Sequence, residues 1–167
     1  MSGTGHTGRT FWGAALTVVA LDVCTKLLAE RLLLPHVPRR VVGDVVRLTL
    51  AYNPGAAFSL SLGSASRWVF GTLAAVALVV LWRWHRESRA GDHVKALALG
   101  LAWGGAAGNL IDRIRSAAGV VDFIDIGVRS VRFWTFNVAD SGVTIGAATL
   151  GLILMREDRQ QKRAAGG

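Results

Sequence analysis

The chain has 167 residues, of which 51% are hydrophobic and only 18% charged, with a net charge of +8. Soluble domains carry ~25% charged residues, and here the apolar residues fall in long blocks between charged clusters, a pattern that excludes an ordinary soluble core and points to a bilayer. The basic residues flank those blocks and form no aromatic-interleaved patch, which argues against a nucleic-acid partner and for anionic membrane lipids.

A hydrocarbon core ~30 Å thick takes ~20 residues of helix to cross, and four blocks reach that length. The first covers residues 11–34 and is predicted to be a retained helix. It is too long for a signal-peptide core and lacks a small-residue cleavage site, and Asp22-Val23 before Cys24 does not suit a lipidation site. Cys24 is the only cysteine, so neither an internal disulfide nor a cysteine-based zinc site can form. His6, His36, His85 and His93 lack metal-ligand spacing, so no metal and no cofactor is expected.

Residues 35–67 form the first long connection. Val41 to Tyr52 is rich in Val, Leu and Thr and reads as a strand or hairpin, broken by the turn signal Asn53-Pro54-Gly55. The second helix is predicted over 68–84 and the third over 94–111. In a second connection, 114–135, the residues from Val120 to Phe136 alternate apolar and polar and again read as β structure. The fourth helix is predicted over 136–155. The expected architecture is an all-α membrane bundle of four transmembrane helices with a small extracytoplasmic β element, built as one domain over residues 1–167. Lys and Arg are almost evenly divided between the two sides. The basic tail packed against the end of the last helix tips the balance toward both termini in the cytoplasm.

Ionisable residues at membrane depth cost ~2.5–3.5 kcal/mol each at mid-helix and persist where they are paired, wet or useful. Asp22 and Lys26 lie one turn apart on one helix face. They read either as a self-neutralising ion pair or as groups serving substrate or lipid headgroups. In the third block Gly100, Gly104, Gly108 and Asp112 recur every four residues, a stripe suited to close helix packing that ends in a carboxylate. Asn109 sits beside Asp112, and Asn137 has the same spacing to Asp140. Taken alone, Asn137 is a helix cap and Asp140 a partner for the helix dipole. Because the third helix ends where the fourth begins, Asp112 and Asp140 are expected at similar depth on adjacent spans. Two facing carboxylates share a proton and become an acid and a base, able to activate water against a peptide bond. A small proton-coupled transporter is the alternative reading, but it would place its charges nearer the midplane.

These residues resemble the lipoprotein signal peptidases, or signal peptidase II, of bacterial inner membranes. The resemblance rests on Asp22-Val23-Cys24-Thr25-Lys26, Asn53-Pro54-Gly55-Ala56-Ala57-Phe58-Ser59, Gly104 through Arg113, Val120-Val121-Asp122-Phe123 and Phe136 through Asp140, which occur in the family's order. It implies an aspartyl endopeptidase that removes the signal peptide from diacylglyceryl-modified prolipoproteins, cutting N-terminal to the lipidated cysteine. It also implies inhibition by globomycin-type compounds. One bundle suffices for such a site, so a monomer is expected, and the helix connectivity puts the active site near the outer face of the membrane. Asp112 and Asp140 fall on the positions taken as catalytic. Asp22, Lys26, Asn53, Gly55, Gly108, Asn109, Arg113, Asp122, Asn137 and Ala139 fall on supporting or substrate-binding positions.

Overall fold

The structure is a computed structural model and describes residues 4–55 and 63–165. The stretch Ala56 to Ser59, part of one motif above, lies outside the described residues. Helices α1 (Thr4–Leu32), α2 (Ser66–Glu87), α3 (His93–Arg115) and α4 (Val138–Ala165) are each long and apolar enough to cross a bilayer. α1 and α4 run beyond the apolar blocks. In α4 the extension is made of good helix formers such as Arg, Glu, Gln and Lys, and Lys162 pairs with Asp158 one turn back at 2.8 Å.

α3 is the central helix and packs against the other three. Its small residues make that possible. A Cβ on Gly104 would lie 2.6 Å from the Ala15 carbonyl of α1, so only glycine lets the two backbones meet there. Toward α2, Trp103 donates its indole N–H to the Leu78 carbonyl at 3.1 Å. Arg67, at the start of α2, donates to the carbonyls of Arg113 (2.5 Å) and Ile114 (2.7 Å) and so caps the end of α3. The outward side of α2 exposes Trp68, Leu73, Val76, Val79 and Val80, an apolar surface suited to lipid.

The two connections predicted as β structure join in one antiparallel sheet. Its strands are β1 (Arg39–Val42), β2 (Val46–Asn53), β3 (Val120–Val128) and β4 (Val131–Arg132), in that spatial order. Ala51 opposes Asp122, Tyr52 opposes Val121, and Asn53 opposes Val120. Leu50, Val121 and Phe123 pack on Ala29 of α1 and on Leu33 just beyond its end, which seats the sheet on that end of the bundle. Strand alternation then turns Asp122, between Val121 and Phe123, to the opposite side of β3. An apolar groove of about 260 Å³ runs between α1 and the sheet, lined by Leu28, Leu32, Leu48 and Phe123 with Arg39 at its edge.

Candidate active site

The site is assembled where α3 ends, α4 begins and β3 crosses between them. The face of α3 carrying Gly100 and Gly104 lies against α1, and one more turn along that face brings Asp112 to Lys26. The Lys26 ammonium sits 2.7 Å from Asp22 Oδ2, 2.8 Å from Asp112 Oδ2 and 3.0 Å from Asn109 Oδ1. All three charged side chains are buried. Removing one member of such a group strands the others and costs ~3–5 kcal/mol.

Asp22 also reaches α4. Its Oδ1 accepts the Ala139 N–H at 2.9 Å, satisfying one of the free donors of the first turn. A Cβ on Gly108 would come 2.5 Å from Asp22 Oδ2 and 3.2 Å from the Ala139 Cβ. Gly108 and Ala139 are therefore small because Asp22 passes between α3 and α4.

Asn137 is the N-cap of α4. Its Oδ1 accepts the Asp140 N–H at 2.8 Å, and Asp140 Oδ2 accepts the Asn137 N–H at 3.2 Å. This reciprocal arrangement is a capping box with Asn and Asp in the two roles. Asn109 Nδ2 donates to the other Asp140 oxygen at 2.7 Å. Asp140 is thus a carboxylate held by donors at a helix N-terminus, where the dipole favours negative charge.

The Asn137 side chain does more than cap. Its Nδ2 lies 2.7 Å from Asp122 Oδ1, 3.2 Å from the Val121 carbonyl and 3.2 Å from Asn109 Oδ1. Asn53 donates to Asp122 from β2, while its Oδ1 accepts the Gly55 N–H at 3.0 Å. Arg113 bonds the Gly55 carbonyl at 2.8 Å and the Asn109 carbonyl at 3.1 Å, tying the end of the β2 turn to α3. Asp122 is only 4% exposed. Burial, with the Asp140 charge beside it, pushes its carboxyl up to about 7, against the hydrogen bonds from Asn137 and Asn53 and the charge of Lys26.

The sequence-selected residues within the described regions therefore converge, but not in the expected pairing. Asp112 is not the partner of Asp140. Its Oδ1 accepts from Arg115 Nε at 2.8 Å, and its Oδ2 accepts from Lys26 and from the Val121 N–H at 3.1 Å. Both oxygens are committed to two cations and the backbone of β3, and the α3 residue that meets Asp140 is Asn109. The carboxyl on which the Asp140 charge bears is Asp122, selected from sequence only as a supporting residue. Glu30, a charge in the first apolar block with no site role legible from sequence, pairs with Arg115 at 3.0 Å.

Four helices long and apolar enough to cross a membrane, with a buried cluster of carboxylates and amides at one end, make a membrane protein with a built polar site rather than a passive scaffold. The family model for Signal peptidase (SPase) II matches residues 14–156. A lipoprotein signal peptidase of Pseudomonas putida is 38% identical over 161 residues, covering 94% of each chain. One from Mycobacterium avium is 43% identical over 148 residues, covering 85% of this chain and 76% of the relative. A solved bacterial membrane enzyme superposes with a TM-score of 0.81 at 28% identity, over 89% of each chain. The chain belongs to the signal peptidase II family, and is a peptidase of the membrane.

Proposed function

We propose that this chain removes signal peptides from diacylglyceryl-modified prolipoproteins, cutting N-terminal to the lipidated cysteine, with Asp122 and Asp140 as the reacting pair. The observation that carries the reading is the bridge through Asn137. Its backbone N–H holds Asp140, its side chain holds Asp122, and burial beside Asp140 raises Asp122 to about 7. Two carboxyls with one proton between them supply both roles the reaction needs.

In this scheme Asp140 is the base. Asn109 and the Asn137 backbone fix its oxygens, and it takes a proton from the attacking water. Asp122 carries the shared proton and gives a hydrogen bond to the scissile carbonyl as the tetrahedral oxyanion forms. As the C–N bond breaks, the proton taken by Asp140 passes to the leaving amine and the pair returns to its starting state. Lys26, Asp22 and Asp112 hold α1, α3, α4 and β3 in register around the pair. One copy of the chain carries every group named, so a monomer suffices.

The sheet end is taken to face outward, which sets the pair at headgroup level. The lipid anchor of the substrate would keep its acyl chains in the bilayer while the peptide bond enters among the polar groups.

The test is cleavage by the purified chain of two peptides that differ only in the diacylglyceryl group on cysteine. The expected result is one cut, before the lipidated cysteine, blocked by globomycin. Equal cleavage of both peptides, or of neither, contradicts the proposal.

A further inference from the structure

Arg115 is the last residue of α3, and nothing in the reaction scheme uses it. Its guanidinium nonetheless engages two carboxylates: Nε lies 2.8 Å from Asp112 Oδ1, and an outer nitrogen lies 3.0 Å from Glu30 Oε2 on α1. Asp112 in turn accepts the Val121 N–H of β3 at 3.1 Å. The other Glu30 oxygen is 3.5 Å from the Tyr52 hydroxyl of β2, and Tyr52 is the strand partner of Val121. The path therefore closes on itself, from Glu30 through Arg115 and Asp112 to Val121, across the ladder to Tyr52 and back. It joins α1, α3, β2 and β3, and Val121 immediately precedes Asp122.

We propose that Glu30 and Arg115 form a positioning clamp that sets Asp122 in register with Asp140. A fully exposed ion pair would hold nothing in place. Here Glu30 and Arg115 are 22% and 34% exposed, and the planar fork of Arg115 spans two acceptors at once. A lysine, with one compact charge, cannot do this. Tyr52, beside Glu30, has its hydroxyl pushed upward by burial and by the Glu30 charge, as expected for a phenol that keeps its proton. The clamp acts on geometry, and misplacing a reacting group by ~1 Å costs on the order of 10²-fold in rate.

The proposal rests on Asp122 being one of the reacting pair, so the experiment contains its own reference. Wild type, Glu30→Ala, Glu30→Gln, Arg115→Ala, Arg115→Lys, the double alanine variant and Asp122→Asn are purified as full chains and assayed on a diacylglyceryl peptide across pH. Around Asp122 stand Asp140 from α4, Lys26 from α1, Arg113 from α3 and the amides of Asn53 and Asn137. None of these is altered in the Glu30 and Arg115 variants, and Glu30→Gln, which removes the same charge as Glu30→Ala while keeping the acceptor, separates a moved Asp122 from a changed field. The expected outcome is a kcat loss of roughly 10–100-fold in both single alanine variants with KM within about twofold, and a displaced pH limb. Glu30→Gln, which keeps an acceptor for Arg115, recovers most of the rate, Arg115→Lys does not, and the double variant is no worse than Arg115→Ala, as a shared unit requires. Wild-type kcat and pH limb in the alanine variants, or losses that simply add, overturn the clamp while an inactive Asp122→Asn leaves the reading of the site intact. Cleavage by Asp122→Asn overturns that reading and the clamp with it.

Discussion

Replacing Asp122 by Asn should stabilise the protein at alkaline pH. In the folded chain this carboxyl titrates at about 7, against an ordinary value of 3.8. A gap of that size corresponds to about 4 kcal/mol between the two protonation states, at ~1.4 kcal/mol for each pH unit. The folded value is the raised one, so the stability Asp122 contributes is complete below about 3.8 and is lost as pH climbs through about 7. From pH 5 to pH 8 that loss amounts to roughly 2–3 kcal/mol by linkage. Asn cannot ionise, yet it still offers an oxygen to the amides of Asn137 and Asn53. Titrating groups that do not interact with Asp122 are common to both proteins and cancel in the comparison. For a chain of this size ~1 kcal/mol moves Tm by about 2–4 °C. The Tm of Asp122→Asn minus that of wild type, measured in one detergent, should therefore grow by roughly 5–10 °C between pH 5 and pH 8. A difference that stays flat with pH, or that shrinks as pH rises, refutes the reasoning.

Two further substitutions probe the frame around the pair. Lys26→Met strands the buried carboxylates of Asp22 and Asp112, and a loss of about 3–5 kcal/mol should appear as a lower yield and a large fall in Tm. Gly108→Ala puts a methyl 2.5 Å from Asp22 Oδ2. It should cost about 1–3 kcal/mol through overpacking, and because Asp22 holds the first turn of α4 it should lower kcat more than it raises KM.

Much of this architecture can be read from residue order alone. The length of the apolar blocks predicts the helices, and alternation at Val41 to Tyr52 and after Val120 predicts strands that the structure joins in one sheet. Helix arithmetic also collects most of the right polar residues, because Asn109, Asp112, Asn137 and Asp140 stand out as costly groups in apolar surroundings. It fails on which carboxyls meet. Depth along the bundle matches Asp112 to Asp140, but azimuth decides contact. The glycine stripe that makes Asp112 conspicuous is the face that packs on α1, so Asp112 is delivered to Lys26. Asp122 enters the site only once β3 is folded across the end of the bundle and paired with β2. Its local signal was a carboxylate between Val121 and Phe123, a costly residue in a strand otherwise suited to burial. The Glu30–Arg115 contact joins residues 85 positions apart with no periodicity linking them, and only tertiary structure reveals it.

The account turns on Asp122 and Asp140 acting as one acid–base pair, and the most direct measurement is single-turnover cleavage of a diacylglyceryl peptide by Asp122→Asn and Asp140→Asn, each first shown to be folded by its thermal transition. Both should bind the peptide and leave it uncut through many wild-type turnover times. Wild-type cleavage by either folded variant would contradict the pairing and return the search for the reacting groups to the rest of the buried cluster.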